Sequence, residues 1–460
     1  MERIVHFDFK GAPLKVSYLE KVFNHIKSWG GTGILIEWED TFPYTKDLVD
    51  FGSVRGCGGD DMYTQQDVQN ILMCAKANGL EVIQLIQTIG HMEFVLKHPQ
   101  CIHLRESPRS PAVLCPTKPE ALRLVCNLLQ QTLEAQPDAK YIHIGADEVW
   151  HSAVCPDCQR KASTHKYKVA ALYLDHIREV ALFVKRFRPN ITILMWDDML
   201  RQMSVETLQA YNLRDLIQPV LWNYNTTEHF QIEKPLWDKY VPIFTDVWAG
   251  SAFKGANGSS QVLSPVSRYV SNQEAWRRAI TRKPDSIRFV GVILTGWSRY
   301  DHYATLCELL PVSLPSLFSC LKVWMRPDNT ESEAVSDVLS ENEWSGIELA
   351  RCIHSFVMLR ERCGQLLHGD AVATWLNPWQ IQNGYTSPVQ VESLANASHA
   401  LLIDLKGLHT ETKRQLELVT GPRSSQEWMG SFFDTILKQV EELNRVATAR
   451  RDTSASVKPL

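Results

Sequence analysis

Short β-branched runs alternate with longer amphipathic stretches from Arg3 to about Arg326, and this alternation restricts the fold more than any other feature. Strands are expected at 3–9, 33–38, 81–87, 140–145, 191–196, 217–222, 241–247 and 288–296. Several are unbroken apolar runs, the pattern of strands covered on both faces. Between them, 17–29, 64–77, 119–135, 165–186 and 266–282 carry apolar residues at helical spacing. Ser17 and Glu20 suggest a capping box, and Asn78-Gly79 marks a helix stop. Eight strands with intervening helices predict an α/β fold, a (β/α)8 TIM barrel over residues 1–326. The pattern then changes. A polar stretch at 327–341 leads into long helices at 347–367, 389–420 and 426–448, so 327–448 reads as a helical C-terminal region. The polar tail, 449–460, is expected to be disordered.

In a parallel barrel, chemistry gathers at the C-terminal ends of the strands. Here the first expected strand ends in Asp8 and Lys10, the second in Glu37, Glu39 and Asp40, and the third runs into Gly90-His91. The fourth gives Asp147-Glu148, the fifth Trp196-Asp197-Asp198 and the sixth Trp222-Asn223-Tyr224. The seventh gives Asp246 and Trp248, the eighth Trp297, Arg299, Tyr300 and Asp301. Singly, each has a plain structural use: a tryptophan fills core, a histidine is hydrogen-bonded, and Asp197-Asp198 suits a helix start. Together at one end of a barrel they suit a carbohydrate, with aromatic faces for sugar rings and charged groups for hydroxyls.

The sharpest string is His143-Ile144-Gly145-Ala146-Asp147-Glu148-Val149-Trp150. It resembles the strand-four signature of the β-N-acetylhexosaminidases of glycoside hydrolase family 20, His-x-Gly-Gly-Asp-Glu-Val, with Ala146 departing from it. The segment from Gln87 to His91 is similar to the family's Pro-Gly-His, with Ile89 in place of proline. Trp196, Trp222, Trp248 and Trp297 match its aromatic box. Residues 7–13, 90–94 and 295–302 resemble its hexosaminidase D branch in particular. The resemblance implies a retaining exo-enzyme that releases terminal N-acetylgalactosamine, and N-acetylglucosamine more weakly, by substrate-assisted catalysis. The 2-acetamido group would be the nucleophile, Glu148 the general acid and base, and Asp147 the residue that orients the acetamide. His91 would belong to a relay beside the acid. Adjacent carboxylates cannot flank a sugar on opposite sides, so ordinary double displacement fits poorly. Substrate-binding roles fall to Asp8, Lys10, Glu39, Trp196, Trp222, Tyr224, Trp248, Trp297, Arg299 and Tyr300, with no cofactor and no metal. Three positions depart from the family. Lys10 or Asp8 stands for an arginine, Tyr224 or Tyr300 for a strand-seven tyrosine, and Arg299 for a carboxylate.

Other classes of function fit less well. A net charge of -4 argues against nucleic acid as a partner. No apolar run reaches the roughly 18 residues of a membrane span. The N-terminus lacks the form of a signal peptide, which leads us to expect a cytoplasmic or nuclear protein. The 11 cysteines are odd in number and lack framework spacing, as for reduced thiols. Cys155-Pro156-Asp157-Cys158 is one pair where a structural zinc needs four ligands, and reads as two free thiols. A metal-dependent barrel hydrolase would want histidines on strands five and six; only His6-Phe7-Asp8 on the first is suggestive. An O-GlcNAc hydrolase relative would carry Asp-Asp at the dyad. A non-catalytic amino-sugar-binding barrel would lose one of the two acids, and both are present. The expected partner is a small molecule or glycan ending in β-linked N-acetylhexosamine, and the C-terminal helices could support a homodimer.

Overall fold

The computed structural model describes residues 1–52, 62–232, 234–327 and 344–453. It forms two units, Met1–Ser345 and Gly346–Leu460. The first is a closed barrel of eight parallel strands: β1 (Glu2–Asp8), β2 (Gly33–Glu37), β3 (Glu81–Leu85), β4 (Tyr141–His143), β5 (Thr192–Trp196), β6 (Gln218–Trp222), β7 (Asp246–Lys254) and β8 (Arg288–Gly296). Each strand pairs with its neighbours in sequence, and β1 closes the ring on β8 with Ile4 opposite Ile293. Ile4, Leu35, Ile83, Leu85, Leu194, Val220 and Ile293 pack the interior. The barrel is therefore a filled core and not a pore.

Helices cover the outside where apolar spacing demands it, with two changes at the caps. Val16–Ser28 starts one residue early, and its cap position, Lys15, makes no side-chain cap bond, so the Ser17 capping box does not form. Gln65–Ala77 does have one, built by Thr64 and Asp67. The expected helix at 165–186 is Lys168–Phe187, preceded by a separate helix, Pro156–Thr164. Leu310–Met325 follows β8 and is apolar on nearly every side, which hides it from a periodicity search. Between β3 and β4 a small antiparallel hairpin, Arg105–Ser107 with Ser110–Leu114, stands on the catalytic-end loops. Among the described residues no helix is long and apolar enough to cross a membrane.

The second unit is helical, as expected. Ile347–Leu367 and Pro388–Val419 are its long members. The third expected helix is broken: Pro422–Trp428 passes through a π-turn, Met429–Phe433, into Asp434–Thr453. Residues 449–453, expected in a disordered tail, continue that last helix; 454–460 lie outside the described residues, as does most of the polar stretch 327–341. Val391, Leu394, Ala395, Leu443 and Ala447 form the core of this unit.

The seventh strand is the one expectation that fails in register. Residues 241–245 are apolar enough to imitate a strand but form the exit from helix Lys234–Tyr240, and β7 begins only at Asp246. Trp248 thus sits near the start of its strand, at the barrel's N-terminal end, and is fully buried. Its indole Nε1 donates to Gln218 Oε1 at 2.8 Å, and its ring meets Tyr141 edge-on with centroids 5.6 Å apart. It is a core residue and not a sugar-binding one. Trp248→Ala is expected to cost about 3–5 kcal/mol in urea unfolding, and Trp248→Phe part of that. A loss under about 1 kcal/mol for the alanine variant would mean that the ring is not packed as described.

Candidate active site

The fourth strand is shorter than expected because its backbone leaves the pleat. Gly145 has φ 63° and Ala146 φ 70°, both in the left-handed region. Trp196 N–H still donates to Gly145 O at 3.0 Å, so the departing chain stays tied to β5. Glu148, at φ 50°, and His91, at φ 51°, share the same unusual backbone. Three non-glycine residues in that region, each costing of order 1–3 kcal/mol, gather at one place. Gly90 explains how they fit: a Cβ on it would lie 2.0 Å from the backbone oxygen of Asp147. The β3 and β4 loops therefore touch backbone to backbone, and they bring His91 onto the Asp147-Glu148 pair.

His91 Nε2 lies 3.3 Å from Asp147 Oδ2 and 3.3 Å from Glu148 Oε2. Burial acts to lower the His91 pKa, but the charge of Asp147 and bonds to both carboxylates hold it well above the ordinary value. Burial likewise acts to raise Asp147, yet His91 and the Gln87 amide keep it below the usual carboxylate range. Gln87 is the organiser. Its Nε2 donates to Asp147 Oδ1 at 3.2 Å and to Glu37 Oε1 at 3.3 Å, while its Oε1 accepts from Ala146 N–H at 3.2 Å. Glu37 in turn lies 3.1 Å from His6 Nε2. Asp198 holds the other side of the dyad: it accepts from Glu148 N–H at 2.9 Å and from Trp222 Nε1 at 3.2 Å. Burial first, then the charge of Asp147, push the Asp198 carboxyl up to about 7.

These groups open on a cavity of about 240 Å3. Of the residues expected in the site, Lys10, His91, Asp147, Glu148, Trp196, Trp222, Tyr224, Trp297, Arg299 and Tyr300 line it. Trp222 and Tyr224 stack with centroids 5.3 Å apart, and Trp297 Nε1 donates to Tyr224 Oη at 3.2 Å. Asp8 and Glu39 do not line the cavity; they lie behind Lys10. Its Nζ is 3.3 Å from Asp8 Oδ2, 4.0 Å from Glu39 Oε1 and 5.3 Å from the Trp297 ring centroid. Burial opposes the Lys10 charge, but Asp8, Glu37 and Glu39 outweigh it and raise its pKa. Arg299 is turned largely to structure, donating to Lys10 O and Ala304 O. Tyr300 accepts from Gly258 N–H at 2.7 Å and is 45% exposed, which places it at the rim. Trp248, as described, lies at the opposite end.

Four lining residues were not among those expected: Glu37, Gln87, Gly255 and Ala256. The first two carry a readable signal, a polar residue at the end of an otherwise apolar run. Gly255 and Ala256 follow the true β7, so the misplaced strand concealed them.

Against known proteins, residues 38–234 match the model described as glycosyl hydrolase family 20, catalytic domain. The chain is 37% identical to hexosaminidase D of Homo sapiens, covering 96% of this chain and 93% of that protein. It is 41% identical to hexosaminidase D of Bos taurus, over 72% of this chain and 94% of that one. Among solved structures, the β-N-acetylhexosaminidase of Bacteroides fragilis aligns with a TM-score of 0.55 at 18% identity, over 72% of this chain and 67% of its own. The Flavobacterium johnsoniae chitobiase aligns at 0.51 and 12% identity, over 99% and 73%. These two likenesses show the shared fold.

Two measurements test the geometry. Gly90→Ala is expected to destabilise the protein by about 1–3 kcal/mol, because Asp147 must move to admit the methyl group. For Asp198, the folded pKa lies above the unfolded one, so the native state binds more protons between about 4 and 7. Its contribution to stability then falls as pH rises through that window and is level above it. Asp198→Asn should gain stability relative to the parent from pH 4 to 7, read as the difference in Tm; a difference independent of pH would refute the shifted carboxyl.

Proposed function

Because this chain belongs to glycosyl hydrolase family 20 and is a β-N-acetylhexosaminidase, we propose that it removes one terminal N-acetylhexosamine with retention, using the substrate's own acetamide as nucleophile. The observation that carries this reading is the pair Asp147 and Glu148, side by side on one wall and both 3.3 Å from His91. A double displacement needs a second carboxylate across the sugar from the acid. Glu37, the other carboxylate lining the cavity, is a poor nucleophile, since its oxygens face Gln87 Nε2 and His6 Nε2.

In the proposed first step the acetamide oxygen bonds to the anomeric carbon while the glycosidic bond breaks. The departing oxygen takes its proton from Glu148. Asp147 accepts the acetamide N–H and faces the positive charge that spreads over the oxazolinium ring. A carboxylate held below its usual range suits that task, because it stays ionised through acid pH. In the second step Glu148 takes a proton from water, whose oxygen bonds to the anomeric carbon as the acetamide leaves. His91 has one Nε2–H within reach of both carboxylates and serves whichever is charged. Tyr224, whose hydroxyl accepts from Trp297 and faces the dyad, is the group we assign to the acetamide oxygen.

The cavity of about 240 Å3 supports exo action, since it is smaller than the roughly 300–1,000 Å3 of sites that enclose drug-sized ligands. We further propose a preference for the galacto sugar over the gluco epimer, and assign Lys10, a charged residue lining the cavity, to a sugar hydroxyl. A non-catalytic sugar-binding barrel has no observation in its favour.

The test is hydrolysis of 4-nitrophenyl β-N-acetylgalactosaminide and its gluco epimer by the purified protein, with and without brief EDTA treatment. The expected outcome is release from both, faster from the galacto substrate and insensitive to EDTA, because the nucleophile belongs to the substrate. Glu148→Gln should lower kcat by roughly 10²–10⁴-fold, and Asp147→Asn by roughly 10²–10³-fold. Release that survives Glu148→Gln at full rate would overturn the assignment of the acid, and a faster gluco rate the sugar preference.

A further inference from the structure

We propose that Glu106, Cys115, Cys155 and Cys158 form a structural zinc site. Their ligand atoms all lie within 4.8 Å of one another. Cys115 Sγ is 3.6 Å from both Cys155 Sγ and Cys158 Sγ, and Glu106 Oε2 is 3.1 Å from Cys158 Sγ. A tetrahedral zinc with Zn–S near 2.3 Å sets sulfur atoms about 3.8 Å apart and sulfur to oxygen about 3.5 Å. The two sulfur–sulfur separations and the sulfur–oxygen one are within a few tenths of an ångström of that frame.

The four groups come from three places in the chain. Cys155 caps helix Pro156–Thr164, and its Sγ accepts from Cys158 N–H at 3.4 Å, the fold of a Cys-x-x-Cys knuckle. Glu106 belongs to the first strand of the hairpin, and Cys115 follows its second strand. Cys115, Cys158 and Glu106 are buried to 1% exposure or less. Ala162 and Leu172 add an apolar shell.

Thiols alone leave this arrangement without a purpose. Glu106 Oε1 is fully used by Val154 N–H at 2.6 Å and Cys155 N–H at 3.0 Å, which turns Oε2 into the sulfur cluster. Thr117 Oγ1 lies 3.1 Å from Cys115 Sγ and 3.4 Å from Cys158 Sγ, an outer partner for anionic sulfur. A buried carboxylate oxygen whose side-chain donor is a weak one, the Cys158 thiol at 3.1 Å, is better satisfied by a cation among the sulfurs. Three thiolates and one carboxylate favour a soft, tetrahedral ion, and zinc meets both conditions. The ion would pin the hairpin after His91 to the segment after Glu148, away from the reacting atoms.

Metal analysis of the full-length protein, purified without chelator and desalted through EDTA, should give about one zinc per chain. Cys115→Ser and Cys158→Ser should lose it, while Cys74→Ser, outside the cluster, retains it. Glu106→Gln keeps an oxygen for the two N–H groups and should weaken zinc binding; unchanged affinity would overturn Glu106 as a ligand. Should the serine variants fail to fold, cobalt growth of the parent protein supplies the second reading: thiolate-to-cobalt charge-transfer bands and the strong visible bands of a tetrahedral ion. Metal-free protein that takes up neither ion, an intact mass showing a disulfide among these cysteines, or metal retained in both serine variants would each overturn the site.

Discussion

Taking a carboxylate out of water is prohibitive unless cations or hydrogen-bond donors replace the solvent, and the mouth of this barrel is built around that requirement. Asp147 is answered by His91 and Gln87, Glu37 by Gln87 and His6, and Asp8 by Lys10 with the Lys10 and Ser298 N–H groups. Asp198 has donors but forms no ion pair among the described residues, and burial with the charge of Asp147 pushes its carboxyl up to about 7. Most partners come from another strand than the acid they serve: Gln87 and His91 follow β3, His6 lies on β1 and Ser298 follows β8, while Lys10 follows β1, the strand that ends in Asp8. The electrostatic need of one acid thus fixes the position of the next strand's loop, and the cavity's shape follows from pairing charges as much as from packing.

Much of this was legible in the chain itself. Seven of the eight strands lie where apolar runs and turn residues put them, because strands sandwiched between barrel interior and helices leave little room for polar residues. The exception is instructive. Val241, Ile243 and Phe244 are apolar because they seat the end of a helix, and local composition cannot separate that use from a strand. The same slip carried Trp248 to the wrong end of the barrel and hid Gly255 and Ala256. Polar partners were harder still. Glu37 and Gln87 stand at strand ends in plain view, but that they share an amide-carboxylate bond is a matter of strand adjacency, not of spacing.

Backbone strain and the cysteine cluster show the same limit from two sides. The family signature with two glycines makes physical sense once residues 145 and 146 are seen at positive φ, and Ala146 holds that conformation without glycine's freedom. Cys155 and Cys158 are a local pair with one reading in the sequence and another in the fold. Only the hairpin brings Cys115 and Glu106 to them from some 40 and 50 residues away. Ligand sets assembled across loops leave no periodic trace.

Closure of the barrel on its first strand also has a consequence in time. The edge of β1 that pairs with β8, and the Asp8 carboxylate that accepts from Ser298, await residues about 290 positions further along the chain. At synthesis rates of about 5–20 residues per second, that edge stays open for roughly 15–60 s while the chain is made. An apolar strand with an unpaired edge is a template for wrong partners. Lys10 lacks the Trp297 ring and the Arg299 guanidinium during that interval, and the pocket's charged floor is the last part of the catalytic end to be completed as the nascent chain emerges.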